Sequence, residues 1–245
     1  MLAPLDRHLA IAGTFNVRDL GGYAHTGGTT AWRRFLRADG LHRLDAAGID
    51  ALEQLGVATV IDLRRDDELE QQPNPFRDHT SVAYRHISLF EDLAPSGMTG
   101  DDVLLDLYLR ALAERGPVIV EVLNAIANAG DGTVLFHCTA GKDRTGIIAA
   151  MLLSLAGVAE HVIVSDYALT KERIAPAIAD FVADAEARGV DVEAFRPLLA
   201  CEAPTMAAML AHLADRHGSV AAYLASIGLD AATADRLRSR LQETI

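Results

Sequence analysis

Hydrophobic and polar positions along the chain fall into short segments that alternate between two periods. Residues 13–44 carry turn signals at Gly21-Gly22 and Gly27-Gly28, which suit short strands and hairpins better than helix. Asp45 is placed to cap a helix running to about Leu55, with Leu52 and Leu55 at helical spacing. After Gly56 the run VATVIDL is continuously apolar until Asp62, as in a strand buried on both faces. The Pro-containing loop QQPNPF separates it from a second candidate strand, Ala83 to Leu89. Thr99 and Asp101 are candidates to open a helix through Leu112, and Pro117 suits the first turn of another that ends near Gly130. TVLFHC then reads as a third buried strand, and every segment from Gly146 onward reads as helix. Strands separated by helices, followed by a helical tail, predict an α/β fold: a mostly parallel central sheet flanked by helices.

One helical pair stands apart within residues 171–199. Ile174, Ile178, Phe181, Val182 and Ala185 make one apolar face. Gly189 suits a C-cap and Asp191 an N-cap, and Val192, Phe195, Leu198 and Leu199 make a second face. Both stripes either join the main core or form a lid. The 245 residues suit one large domain or two small ones.

Composition narrows the class. Net charge is −12 and the pI is near 5.1, the wrong sign for a protein that coats nucleic acid or anionic membrane. Of 22 basic residues only Lys142 and Lys171 are lysines, so anion chemistry here has to be local. Two cysteines, Cys138 and Cys201, are too few for a disulfide scaffold and suit a reduced compartment. Asp6 and Arg7 interrupt the place where a signal peptide needs its apolar stretch, which points to the cytoplasm by default, with export lacking a cleavable signal still open. The longest uncharged apolar run, Gly146 to Ala159, is shorter than the roughly 20 residues of a membrane span. The nine histidines show no zinc spacing, so neither metal nor cofactor is expected.

The chemistry concentrates in Phe136-His137-Cys138-Thr139-Ala140-Gly141-Lys142-Asp143-Arg144-Thr145-Gly146, between a buried strand and a long apolar helix. A loop there ends at a helix N-terminus, where unpaired N–H groups and the helix dipole favour an anion. Cys-x5-Arg spacing brings a thiol and a guanidinium to one cavity. Gly141 permits the curvature that turns successive N–H groups of Thr139 to Arg144 inward around a phosphate. Arg144 supplies a planar fork for two phosphate oxygens. The same surroundings favour the thiolate of Cys138. Thr145 is placed to donate its hydroxyl to that thiolate, and His137 to fix the cysteine's backbone.

At these residues the chain resembles the cysteine-dependent protein tyrosine phosphatase superfamily, and HCTAGKDRTG, with Lys and Asp inside the loop, resembles a bacterial branch that includes a secreted mycobacterial member. Asn16-Val17-Arg18-Asp19-Leu20-Gly21-Gly22-Tyr23 and Val60-Ile61-Asp62-Leu63-Arg64 also match that branch, so the resemblance runs from about Gly13 to Leu241. It implies a single α/β phosphatase domain with a two-helix lid at 171–199. It also implies hydrolysis of phosphomonoesters through a cysteinyl-phosphate, on phosphotyrosine with phosphoserine, phosphothreonine and phosphoinositides as further substrates. Lys142 would stand on the loop rim above the phosphate, as in members that act on phosphoinositides.

A general acid must protonate the leaving oxygen. The Trp-Pro-Asp acid loop of familiar tyrosine phosphatases is absent, because the only tryptophan, Trp32, precedes Arg33. Asp143 inside the loop, Asp62 at a strand end and Asp92 beyond the second strand compete, in that order. Arg18 and Asp19 read as a structural turn and ion pair near the site. Cys201 reads as a small buried hydrophobe, with a disulfide to Cys138 under oxidation as its other reading. Two other functions are weighed: a rhodanese-type sulfurtransferase, which also uses a cysteine-headed anion loop, and a phosphate-binding module without turnover. Oligomeric state and physiological partner are not legible.

Overall fold

A computed structural model describes residues 6–91, 102–187 and 189–242. The glycine-rich N-terminal stretch forms four strands, β1 (Arg18–Asp19), β2 (Ala24–His25), β3 (Gly28–Thr29) and β4 (Phe35–Ala38), of which β2 and β3 make a separate hairpin. Helix α1 (Ala46–Gln54) starts where Asp45 accepts a hydrogen bond from Gly48 N, and leads to β5 (Val57–Asp62). Then follow α2 (Asp66–Gln71), β6 (Ala83–His86), α3 (Val103–Glu114), α4 (Gly116–Asn128) and β7 (Thr133–His137). The helical tail comprises α5 (Asp143–Leu155), α6 (Glu160–Ala168), α7 (Thr170–Ile174), α8 (Ile178–Ala187), α9 (Val192–Phe195), α10 (Ala203–His217), α11 (Val220–Ser226) and α12 (Ala231–Leu241).

The five-stranded sheet runs in the order β1-β4-β7-β5-β6, parallel throughout except for β1 at one edge. Alternation along the strands sends side chains to two cores. Phe35, Ile61, Val134 and Phe136 enter the larger one, which α3 to α6 and α10 to α12 complete. Leu36, Val60 and Leu135 face the smaller one, with Leu41, Leu52 and Phe76. Central β7 is buried along its whole length, which is why TVLFHC carries no polar alternation. Its C-terminal end, and therefore the loop that follows, lies at the end of the sheet where parallel strands collect their sites. Helix α5 is buried on nearly every side, from Thr145 to Leu153, so the long apolar run is a core helix. No helix among the described residues is long and apolar enough to cross a membrane.

Three local expectations are adjusted. Helix α3 is capped by Asp102, whose side chain accepts from Leu105 N at 3.0 Å; Thr99 and Asp101 lie outside the described residues, as does Asp92. Strand β6 ends at His86, although Ile87 N and Leu89 N still bond to Asp62 O and Leu63 O. The helical pair is more broken than its stripes imply. Pro176 and Pro197 each fall in a 3-10 turn, Ala175–Ala177 and Arg196–Leu199, because a proline cannot supply the N–H a continuous helix needs. Gly189 does take the left-handed φ of +72°, and Asp191 accepts from Glu193 N. Ile174, Ala177 and Phe181 pack with Phe15, Ala140, Phe195 and Leu199 as a third cluster, apart from both cores. The two stripes therefore close on each other over Ala140 of the loop.

Candidate active site

The loop between β7 and α5 is held from the sheet side by its carbonyls. Gly40 N donates to Thr139 O at 2.9 Å. Asn16 Nδ2 donates to Ala140 O and Gly141 O at 3.0 and 3.2 Å, and Arg37 Nη2 to Gly141 O at 2.7 Å. With these acceptors engaged, the first N–H groups of α5, which have no intrahelical partner, are the groups left for an anion. Gly141 has φ +64°, and a Cβ there would lie 2.5 Å from Ala38 O, so the loop's closest approach to β4 requires glycine.

The N-terminal motif supplies the clamp. Asn16 Oδ1 accepts from Arg18, and Arg18 and Arg37 both reach Asp166 on α6, at 3.3 and 2.5 Å. All three charged side chains are buried, and Tyr23 OH also donates to Asp166 at 2.8 Å. Burial works against the charge on Asp166, but the two guanidiniums outweigh it and hold its pKa down at about 2. Asp19 turns the other way, accepting from Gly21 N and from the backbone and side chain of Arg33. Arg18 and Asp19 are therefore structural, but their partners are Asp166 and Arg33, not each other.

Arg144 is oriented by a residue the sequence reading missed. Glu68, near the start of α2, accepts from Arg144 Nη1 at 2.5 Å and Nη2 at 3.0 Å, a bidentate fork. It also accepts from the Thr139 hydroxyl and from Arg65 N. Burial opposes both charges, yet the pairing with Arg144 pulls the Glu68 pKa well below its usual range. Arg144, facing Glu68 and then Cys138, is pushed further up. Phe90 lies 5.6 Å from the Arg144 guanidinium, under a cation–π contact.

His137 holds the strand end. Its Nδ1 lies 3.0 Å from Cys138 O, and its Nε2 lies 2.9 Å from Asn74 Nδ2 and 3.3 Å from Asp62. With Nδ1 against Cys138 O and Nε2 between Asn74 and Asp62, the ring is held on both sides and fixes the cysteine's backbone. Asp62 is not among the residues that line the cavity with Cys138. It is fully buried and accepts from Arg64, Asn74 and Tyr84. Burial alone would raise its pKa, but His137 and Arg64 hold it far below the carboxylate range, so it has no proton to give.

Asp143 faces the cavity. Its Oδ1 accepts from Tyr108 OH at 2.5 Å and lies 3.3 Å from Lys142 Nζ. Lys142 corrects the expectation of an exposed rim charge. Its side chain is 1% exposed, and Nζ donates to Leu198 O and, at 2.7 Å, to Ala200 O. The ammonium is thus committed to the chain that returns from the third cluster. Thr145 departs as well: its hydroxyl is buried without a hydrogen-bond partner and makes no bond to Cys138. Gly141 O, where a helical hydroxyl four residues on ordinarily bonds, is taken by Asn16 and Arg37. Cys201 is buried and free, with Sγ donating to Tyr167 O at 3.3 Å, and burial raises its pKa.

These groups line a cavity of about 160 Å³. Cys138, Thr139, Ala140, Lys142, Asp143 and Arg144 form its floor. Phe90, Leu104 and Leu107 wall one side, and Phe181, Phe195, Leu198 and Leu199 cover it. Thiol, guanidinium and carboxyl therefore line one partly open cavity together with apolar side chains. Glu68 could have been suspected from Arg65-x-x-Glu68, a capping-box spacing directly after β5, but an arginine at the cap position hides it. Nothing local marks Tyr108, which reads as one more apolar position of α3.

Comparison with known proteins bears on the class. A profile of the tyrosine phosphatase family matches residues 9–243. A tyrosine-protein phosphatase of Nostoc commune is 39% identical over 217 residues, covering 84% of this chain and 74% of that one. The triple specificity protein phosphatase PtpB of Mycobacterium tuberculosis is 28% identical, covering 94% and 98%. Among solved structures, TpbA of P. aeruginosa in complex with pTyr is similar at TM-score 0.40 and 18% identity, covering 81% of this chain and 98% of that one. The profile match across nearly the whole chain decides against a sulfurtransferase, and the chain belongs to the tyrosine phosphatase family.

Proposed function

We propose that this protein tyrosine phosphatase works through a cysteinyl-phosphate, with Cys138 as nucleophile, Arg144 and the loop N–H groups holding the phosphoryl oxygens, and Asp143 as general acid. In the first step the Cys138 thiolate attacks phosphorus, the bond to the leaving oxygen breaks, and Asp143 gives that oxygen its proton. In the second, the Asp143 carboxylate takes a proton from water as the water attacks phosphorus. The S–P bond breaks, leaving inorganic phosphate and the Cys138 thiolate. The observation that carries this reading is the bidentate Glu68–Arg144 pair, which aims a fixed guanidinium into the cavity lined by both Cys138 and Asp143.

The substrate proposed is phosphotyrosine, whose ring suits the walls of Phe90, Leu104 and Leu107. Phosphoserine and phosphothreonine, presenting the same phosphate on shorter stems, are further substrates. Extension to phosphoinositides requires Lys142 to leave the Leu198 and Ala200 carbonyls. The segment 171–199 acts as a lid: Phe181, Phe195 and Leu199 pack with Ala140 of the loop and line the same cavity.

The test is vanadate-sensitive, chelator-resistant hydrolysis of p-nitrophenyl phosphate that vanishes in Cys138→Ser. Asp143→Asn should slow turnover of alkyl and phenyl phosphates far more than of substrates with good leaving groups. Equal losses on both would remove Asp143 from the acid role.

A further inference from the structure

We infer that Tyr108 is a positioning residue for the acid, and that its hydroxyl fixes which oxygen of Asp143 delivers the proton. This rests on the reading of Asp143 as the general acid.

Tyr108 sits on α3, its ring fully buried, and its hydroxyl is the one side-chain hydroxyl bonded to Asp143 among the described residues. Its neighbour across the core, Tyr167 on α6, places a hydroxyl 2.8 Å away with the rings edge-on. The order of donation in this chain follows from the inventory of protons. An ionised Asp143 has no hydrogen to give, so Tyr108 donates to Oδ1. Having spent its only proton there, Tyr108 must accept from Tyr167. When Asp143 is protonated, Oδ1 remains an acceptor, occupied by Tyr108 and approached by Lys142 Nζ at 3.3 Å. The proton therefore resides on Oδ2, the oxygen not claimed by these donors, and the leaving group meets a carboxyl already turned the right way. Holding a donor in one orientation before reaction is what raises the effective concentration of the proton.

Polar and charged groups surround Asp143 from several elements. Tyr108 faces it from α3 and Lys142 from the loop, with Arg144 beside it on α5 and Cys138 across the cavity. Tyr167 stands on α6 behind Tyr108.

Tyr108→Phe deletes only the hydroxyl and keeps the buried ring, so the core stays packed. With one donated bond lost, kcat on phenyl phosphate should fall about tenfold, with KM within about twofold. Turnover of a substrate with a good leaving group, such as 2,4-dinitrophenyl phosphate, should fall less than about threefold, because little protonation is needed. Tyr167→Phe, which leaves the Tyr108–Asp143 bond in place, should produce the same pattern at smaller size. Asp143→Asn is run alongside. If it is sensitive to the leaving group while Tyr108→Phe leaves the rate on phenyl phosphate unchanged, the positioning role is wrong and the acid assignment stands. If Tyr108→Phe slows both substrates equally, its role is structural and the inference is overturned. If Asp143→Asn is itself indifferent to the leaving group, the acid reading fails, and the inference with it.

Discussion

Replacing Glu68 by glutamine isolates the device that aims Arg144. Glu68 accepts four hydrogen bonds: two from Arg144, one from Thr139 and one from Arg65 N. Its side chain is 9% exposed and that of Arg144 is 12% exposed, so solvent screens the pair little. Glutamine keeps the shape and one acceptor but turns an amide against the guanidinium, leaving a buried charge without its counterion. Removing one partner of such a pair costs on the order of 3 kcal/mol. For a chain of this size that corresponds to a fall in Tm of about 6–12 °C. The phosphate fork loosens as well, and kcat/KM for p-nitrophenyl phosphate should drop about 10- to 100-fold, with weaker inhibition by vanadate. The pH dependence has a definite sign. Because the folded state lowers the Glu68 pKa below its ordinary 4.5, its stabilisation is complete above that pH and is lost as the pH falls toward the folded value. The gap in Tm between the wild type and Glu68→Gln should therefore narrow on acidification below about 4.5. A variant within twofold of the wild type in kcat/KM, with an unchanged Tm, would refute the claim that Glu68 orients the arginine.

Other perturbations separate the parts of the site. Asp62→Asn should lower stability by about 3 kcal/mol near neutral pH and flatten the acid limb of the stability curve, since a carboxylate depressed by His137 and Arg64 stabilises only above its unfolded pKa; thermal melts across pH check this. Gly141→Ala meets a left-handed φ and a backbone oxygen at 2.5 Å, so hydrolysis should fall at least tenfold while far-UV circular dichroism is kept. Lys142→Met frees the Leu198 and Ala200 carbonyls, and hydrogen exchange should rise in residues 190–200. The same variant should lose phosphoinositide hydrolysis more than aryl phosphate hydrolysis; an indifferent variant would confine Lys142 to its tether.

What the sequence made legible follows from where the physics is local. A buried parallel strand cannot alternate, so VATVIDL and TVLFHC announced β5 and β7. A cysteine and an arginine on one loop at a helix start are likewise a local arrangement. The Glu68–Arg144 pair joins residues 76 positions apart, and the hydrogen bond from Tyr108 to Asp143 spans 35, so no single segment shows who pairs with whom. Lys142 was misplaced for a related reason. A lysine on a turn is ordinarily solvated, and only the returning chain at Leu198 and Ala200 buries this one. Asp62 ended a strand at the right edge of the sheet, but the arginine two residues on and His137 had already claimed it.

The central claim is that phosphate passes through Cys138. Rapid acid quench of the protein turning over a ³²P-labelled aryl phosphate, followed by peptide mapping, tests it most directly. Label is expected on the peptide carrying Cys138, at greater occupancy when a fast leaving group makes breakdown of the intermediate limiting, and none in Cys138→Ser. Label on another residue, or hydrolysis that survives Cys138→Ser, would contradict it.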